Sequence, residues 1–565
     1  MVSHQARNKR NDIIGLAVAI AIVMLLNYVG SFVFSRFDLT TEKRYSLSDA
    51  TKNLVSELDD NIYIKIYLEG DLPANFLRLR NSTKETLDEI RAYSNGKLDY
   101  IFINPGESPD QDVRDALYQE LTNKGIQYSN LRSEDGDIQS EQIIFPGAVF
   151  SYQGKEVPLQ ILKSQLGTAP EVMLNNSIQQ LEYEIASSIK KLVRPKRQKI
   201  AFLEGHGEID DMHLADIAKT LDEFYTVDRA KLGGKLVSLE EYDAVIIAKP
   251  DTAFSEKDKY ILDQFIMNGG KTMWLIDHVF ASMDSLQKTG TSVGIPMSLN
   301  LEDMLFRYGC RVNTNLVMDL QALPIPIVTG YEGNQPKQEL MAWYYYPLIM
   351  DHPKHPIVSN LDALKTEFVN SVDTVGGKGI KKTVLLTTSE RSKLAATPAR
   401  ISLNMLRYPP DERQYVKRKI PIAVLLEGEF QSNYKNRLTK EFTSNRKLKF
   451  KESSLENKMI VVGDGDIIKN GFNETNKSFK PMGYDVYTQR TYGNKDFILN
   501  SLNYLLDDSG LIQARSKEFK IRLLNKQMVD AERQKWQLIN TVIPVLLIAL
   551  FGFIQFFIRR RNYAK

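Results

Sequence analysis

The chain has 565 residues, 43% hydrophobic and 25% charged, with 73 Lys and Arg against 70 Asp and Glu and a net charge of +3. That much apolar material is enough for two or three packed domains and excludes a chain disordered throughout. So small a net charge gives no basis for a polyanion-binding surface, and nucleic acid is not an expected partner.

Arg7, Lys9 and Arg10 lie in residues 1–12, ahead of IIGLAVAIAIVMLLNYVGSFVF, an uncharged run over residues 13–34 interrupted chiefly by Asn27. At about 1.5 Å per residue such a run crosses a hydrocarbon core of about 30 Å. It is longer than the apolar region of a cleaved signal peptide, and no lipoprotein cysteine follows it, since the only cysteine is Cys310. An uncleaved anchor is expected.

Residues 35–195 are expected to form a first extracytoplasmic α/β domain. Ile62–Leu68 and Leu98–Pro105 read as strands, and Phe76–Ser94 and Val113–Gly125 as helices. QIIFP and AVFSYQGKEVPLQIL follow, the latter a hairpin turning at Gln153 and Gly154, and then a helix over Ser177–Val193. The order βαβαββα matches a thioredoxin-like layout, without the C-x-x-C that would make it a redox domain.

The basic, proline-containing joint Arg194–Gln198 leads into a second α/β domain over residues 196–510. Its apolar strands, KIAFLEG, YDAVIIAKP and KTMWLID, alternate with helices over Ile209–Phe224 and Phe254–Gly270, the latter with Ser255 as N-cap. The pattern implies a flavodoxin-like parallel sheet covered on both faces. Cys310 reads as a small buried apolar residue rather than a nucleophile, and a lone cysteine excludes an internal disulfide. Past Leu320 the pattern loosens, but KTVLLTTS, IPIAVLLEG and KMIVVGDGDII read as further core strands, and Asn494–Asp508 as a closing helix. Residues 511–537 read as an amphipathic juxtamembrane helix, the expected place for coupling across the membrane. Residues 538–558 form a second apolar span interrupted by Pro544, and 559–565 a tail opening on Arg559, Arg560 and Arg561. The basic flanks put both termini in the cytoplasm and residues 35–537 in the periplasm, anchored in the inner membrane.

Three stretches carry candidate chemistry. EGHGEIDDMH crowds Glu204, His206 and Glu208 at the end of a strand, where α/β sheets bind ligands. Its glycines and aspartates also suit a plain strand-to-helix turn, which is the leading reading; a partner or ligand pocket at Glu204, His206 and Glu208 comes next, then a metal or acid–base centre. VVGDGDII reads as an Asp-rich turn rather than an ion site. Trp343, Tyr344, Tyr345 and Tyr346 form either a recognition surface or an edge strand covering the core, the latter being favoured, and His352 and His355 lie between prolines without a convincing ligand set. No catalytic residue, metal or cofactor is expected, and no G-x-x-x-x-G-K-[ST] occurs, so the chain is not itself an ATPase.

RFDLTTEKRYSLSDATKNLVSEL, FLEGHGE, LDQFIMNGGK, VVGDGDIIKNGF and KDFILNSLNYLLDD occur in that order, followed by an apolar span. Together they resemble the GldG family, the auxiliary component of gliding-motility ABC transporters in Bacteroidetes. The resemblance implies a non-enzymatic membrane subunit that works with a separate ATPase and a multi-span permease in gliding; motility machinery and cell-envelope glycan are the candidate outer partners. It also implies a second domain similar to the class I glutamine amidotransferase fold, from which WLIDHV departs by lacking a nucleophilic cysteine.

Overall fold

The computed structural model describes residues 14–25, 46–135, 138–193, 198–232, 239–437, 450–473, 475, 477–507, 509–516 and 526–563. Residues 1–13, residues 26–45 including the rest of the first expected span, the joint at 194–197 and juxtamembrane residues 517–525 lie outside the described set. The chain divides into two units, Met1–Lys517 and Glu518–Lys565.

The first half of the larger unit runs α1 (Asp49–Ser56), β1 (Ile62–Ile66), α2 (Ala74–Tyr93), β2 (Leu98–Phe102) and α3 (Gln111–Asn123). It continues through β3 (Ser129–Asp135), β4 (Ile138–Ile144), β5 (Gly147–Tyr152), β6 (Lys155–Gln160) and α4 (Pro170–Val193). The sheet order is β2-β1-β5-β6, with β1 parallel to β2 and antiparallel to β5. Gln153 and Gly154 both take positive φ in the β5–β6 turn, as the mirror-image hairpin turns require. The β3–β4 hairpin is an addition to the expected order, with QIIFP supplying the end of β4. Helix α4 begins seven residues before the expected Ser177 because Pro170 occupies its first turn, where a missing N–H costs nothing.

The second half holds a seven-stranded sheet. Its strands are β7 (Lys199–Glu204), β8 (Thr226–Lys231), β9 (Ala244–Ala248) and β10 (Lys271–Leu275), then β13 (Lys381–Thr387), β14 (Pro421–Gln431) and β15 (Ser453–Val462). β11 (Ala322–Glu332) and β12 (Gln335–Ile349) form a separate hairpin. In the order β13-β14-β15-β10-β9-β7-β8, the five strands from β15 to β8 are parallel, while β14 runs antiparallel to β15 and β13 antiparallel to β14. The expected all-parallel sheet is therefore mixed at one end.

Alternate residues of the parallel strands face opposite sides. Ile200, Phe202, Ile246 and Met273 pack with α5 (Asp211–Asp222) and α7 (Asn494–Leu506) in one core. Ala201, Leu203, Val245 and Trp274 pack with α6 (Glu256–Met267) in another. Ser255 caps α6 as its side chain accepts from the Asp258 N–H.

Residues Leu511–Ser516 form a 3-10 turn rather than the start of an amphipathic helix. Leu511, Ile512 and Ala514 are absorbed into the core around the four-stranded sheet, and that burial sets their conformation. In the smaller unit, α8 (Lys526–Tyr563) contains Pro544, and Arg560 and Arg561 lie in its last turn. Among the described residues, α8 supplies the one helix long and apolar enough to cross a membrane, over Ala531–Ile558, whereas Ile14–Leu25 is a shorter apolar helix.

Candidate functional site

The EGHGE turn leaves β7 with Gly205 at φ 124 and Gly207 at φ 74. A Cβ on Gly207 would stand 1.6 Å from Asp251 Oδ1, so the turn needs glycine for both conformation and space. His206 is buried, with its ring stacked on Phe254 at 3.8 Å between centroids. Its Nδ1 lies 3.3 Å from Glu208 Oε1 and its Nε2 3.4 Å from Asp258 Oδ2. The His206 carbonyl accepts from the N–H groups of Asp251 and Thr252. His206 thus fastens its own turn to the loop after β9 and to the first turn of α6. Glu208 is brought to it, while Glu204 is exposed at the end of β7.

Desolvation opposes protonation of His206, but the Glu208 and Asp258 carboxylates outweigh it and hold the imidazolium above its ordinary pKa. Its contribution to stability is complete below the ordinary histidine value of about 6.5 and is lost as pH rises through the higher folded value. His206→Gln is therefore expected to flatten the pH dependence of the thermal midpoint from about pH 6 upward. Pulse proteolysis across that range checks it; an unchanged slope would count against the clamp.

A second cluster joins residues that the sequence presents separately, Asp464 and Asp466 in VVGDGDII and Asp277 in WLIDHV, with Lys249. The ends of β9, β10 and β15 bring together Lys249, Asp277, Asp464 and Asp466. Lys249 Nζ pairs with Asp466 and lies 3.3 Å from Asp277 Oδ2. The Gly465 N–H donates to Asp277 Oδ1 at 2.6 Å, and the Asp466 N–H to Asp464 Oδ1 at 2.8 Å. Burial pushes the Asp277 carboxyl up to about 6 against the pull of Lys249. Burial raises Asp464 well above the carboxylate range, with Asp277 and Asp466 adding to the effect. Lys249 holds φ 55, a conformation a lysine rarely adopts, and neighbouring His278 is buried with its Nε2 unpartnered. Perturbed groups converging at the C-terminal ends of parallel strands mark the crevice where such sheets bind ligands.

A cavity of about 320 Å³ opens beside Asp466, between the β11 wall and the loop carrying Tyr484 to Tyr487. That volume is at the lower end of the range for small-molecule sites.

The remaining candidates are structural. Trp343, Tyr345 and Tyr346 are buried in the core beneath β12 rather than offered as a recognition surface, and Tyr344 is half-buried against Tyr415. Adjacent residues of a strand face opposite ways, but both faces of this segment are covered. His355 packs on Tyr504, and its burial lowers its pKa to about 4, while His352 Nε2 lies 3.3 Å from the Asp362 carbonyl. Cys310 is fully buried and its thiol is pushed up to about 12 by desolvation, so it is unreactive. Among the described residues no group of three His, Cys, Asp or Glu is arranged to hold a metal ion.

A family model described as an ABC-type uncharacterized transport system matches residues 197–501, and one described as a domain of unknown function matches residues 41–151. An uncharacterized protein of Borreliella burgdorferi is 22% identical over 576 residues, covering 98% of this chain and 99% of its own length. A solved structure titled mmIFT52 N-terminal domain matches at 14% identity with a TM-score of 0.29, over 55% of this chain and 97% of that one.

Proposed function

Because this chain belongs to the ABC-type uncharacterized transport system family, we propose that it is a membrane-anchored, non-catalytic auxiliary subunit of an ABC transport complex. It couples a separate ATPase and a multi-span permease to a partner or substrate outside the membrane, and in the setting that the GldG resemblance implies, it serves gliding motility. The family match over residues 197–501 carries this reading.

Other observations support it. The sequence has no phosphate-binding P-loop of its own, so ATP chemistry belongs to another subunit. The apolar stretch Ala531–Ile558 supplies an anchor, and the basic residues outside both apolar runs favour cytoplasmic termini with an outer body between them. The sheet order β2-β1-β5-β6 is compatible with a thioredoxin-like first domain over 35–195, and the helix-covered parallel strands with a flavodoxin- or amidotransferase-like second domain over 196–510. The turn after β10 carries Asp277 and His278 where an amidotransferase would need a cysteine nucleophile. An envelope hydrolase or metal enzyme centred on His206 gains no support, because that ring is committed to Glu208, Asp258 and Phe254.

The test is purification of the tagged full-length chain from its native membrane in gentle detergent, with mass spectrometry of the proteins recovered with it. An ATPase bearing a P-loop and a multi-span permease are expected; recovery of the intact chain alone would overturn the proposal.

A further inference from the structure

The cavity beside Asp466 has a lining whose chemistry narrows what it can hold. Ile325, Pro326 and Ile327 of β11 form an apolar wall, and Tyr484 and Tyr487 line the same space, with Tyr487 40% exposed at its rim. Three carboxylates, those of Glu367, Asp466 and Asp485, face two ammonium groups, those of Lys365 and Lys469.

Each lysine is already engaged. Lys365 Nζ is 3.2 Å from Glu367 and 3.6 Å from Asp485, and Lys469 is 4.0 Å from Asp466. Lys249 also pairs with Asp466, so three ammonium groups balance the three carboxylates, and that balance favours neither a phosphate or other anion nor a cation. A purely apolar ligand would strip water from these groups and return no hydrogen bond.

What the lining does provide is fixed acceptors. Asp485 Oδ1 accepts from the Tyr487 and Thr488 N–H groups and from the Thr488 hydroxyl, which hold the carboxylate in place. All three donors fall on Oδ1, and Lys365 stands 3.6 Å from Oδ2, beyond hydrogen-bond distance, so Oδ2 keeps acceptor capacity for a ligand rich in hydroxyl donors. The tyrosine faces and the β11 wall suit the C–H surface of the same ligand.

We infer that this cavity is a binding site for a neutral polyhydroxylated ligand, a mono- or disaccharide unit, with Tyr487 as a face on which it lies and Glu367 and Asp485 as acceptors for its hydroxyls. The inference deepens the proposed function by giving the outer body a ligand class. Its test needs no transporter partner, so its failure and the failure of the subunit reading are separable.

Saturation-transfer NMR on the full-length protein, held in a detergent without a sugar headgroup, tests it. The probes are glucose, N-acetylglucosamine and their β-1,4-linked dimers, with glycylglycine and inorganic phosphate as competitors of other chemistry. Phosphate, which has no carbon-bound proton, is read as displacement of a bound probe. Transfer to the ring C–H protons of at least one saccharide is expected, falling at least fivefold in Tyr487→Ala and retained in Tyr487→Phe, with the thermal midpoint of both variants unchanged. No transfer from any saccharide to the folded protein would overturn the inference. So would transfer undiminished in Tyr487→Ala, transfer to glycylglycine with none to any saccharide, or displacement of a bound saccharide by phosphate.

Discussion

Gly463→Ala is expected to destabilise the larger unit by about 3 kcal/mol, the upper end for overpacking in a filled core. A Cβ at Gly463 would stand 2.2 Å from the backbone carbonyl oxygen of Asn370. That oxygen cannot swing aside as a side-chain tip would. The Asn370 N–H donates to the Gly463 carbonyl at 2.7 Å, and the Asn370 side chain accepts from the His278 N–H at 2.8 Å. Relieving the clash therefore pulls the end of β15 away from the loop that follows β10. Urea unfolding followed by tryptophan fluorescence reports on it, since Trp274 is fully buried on β10. Gly330→Ala is the control, because nothing lies within 4 Å of its Cβ position; equal behaviour of the two variants would show that the close approach is not as described.

Lys249→Met should have the next largest effect. It keeps the volume of the side chain but leaves the Asp277 and Asp466 carboxylates, 7% and 10% exposed, without their shared cation. Breaking a buried pair from one side costs about 3–5 kcal/mol, and the lower figure applies because a third of the Lys249 side chain remains exposed. The loss should depend on pH. Without the lysine, the Asp277 carboxyl, already raised by burial, moves further above its unfolded value of about 3.9, so the native state binds more protons than the unfolded one. Stability must then fall as pH rises. A loss of about 3 kcal/mol at pH 8, shrinking toward pH 5, is the expected result in chemical denaturation. A loss equal at both pH values would make the role of Lys249 steric.

The elements legible in the sequence were those whose cause is local. The apolar runs of β7, β9 and β10, the Ser255 cap and the Gln153–Gly154 turn each owe their form to residues close in sequence. Strand direction is not local: the apolar run of β14 reads equally well either way, and only its pairing with β15 makes it antiparallel. Leu511 and Ile512 carried the spacing of an amphipathic helix, but the core that accepts them lies far away in the chain.

The same distinction governs the sites. The density of charged residues in EGHGE drew attention to a turn whose histidine is a fastening. VVGDGDII reads as an Asp-rich turn and WLIDHV as a turn without a cysteine, but not as one cluster with Lys249, because Lys249 and Asp466 are 217 residues apart and meet only through the order of the strands. The sequence signal was present in another form: each follows an apolar run ending a parallel strand, and those ends converge. The aromatic residues 343–346 show the converse, since composition alone does not tell a covered strand from an exposed one.

The most direct test of the central claim is ATP turnover measured on three preparations: the purified chain, the membrane assembly recovered with it, and that assembly after the chain is removed and restored. The account predicts no turnover by the chain alone and turnover by the assembly at a rate that changes on removal and returns on restoration. Hydrolysis by the chain itself, or an assembly indifferent to its presence, would contradict it.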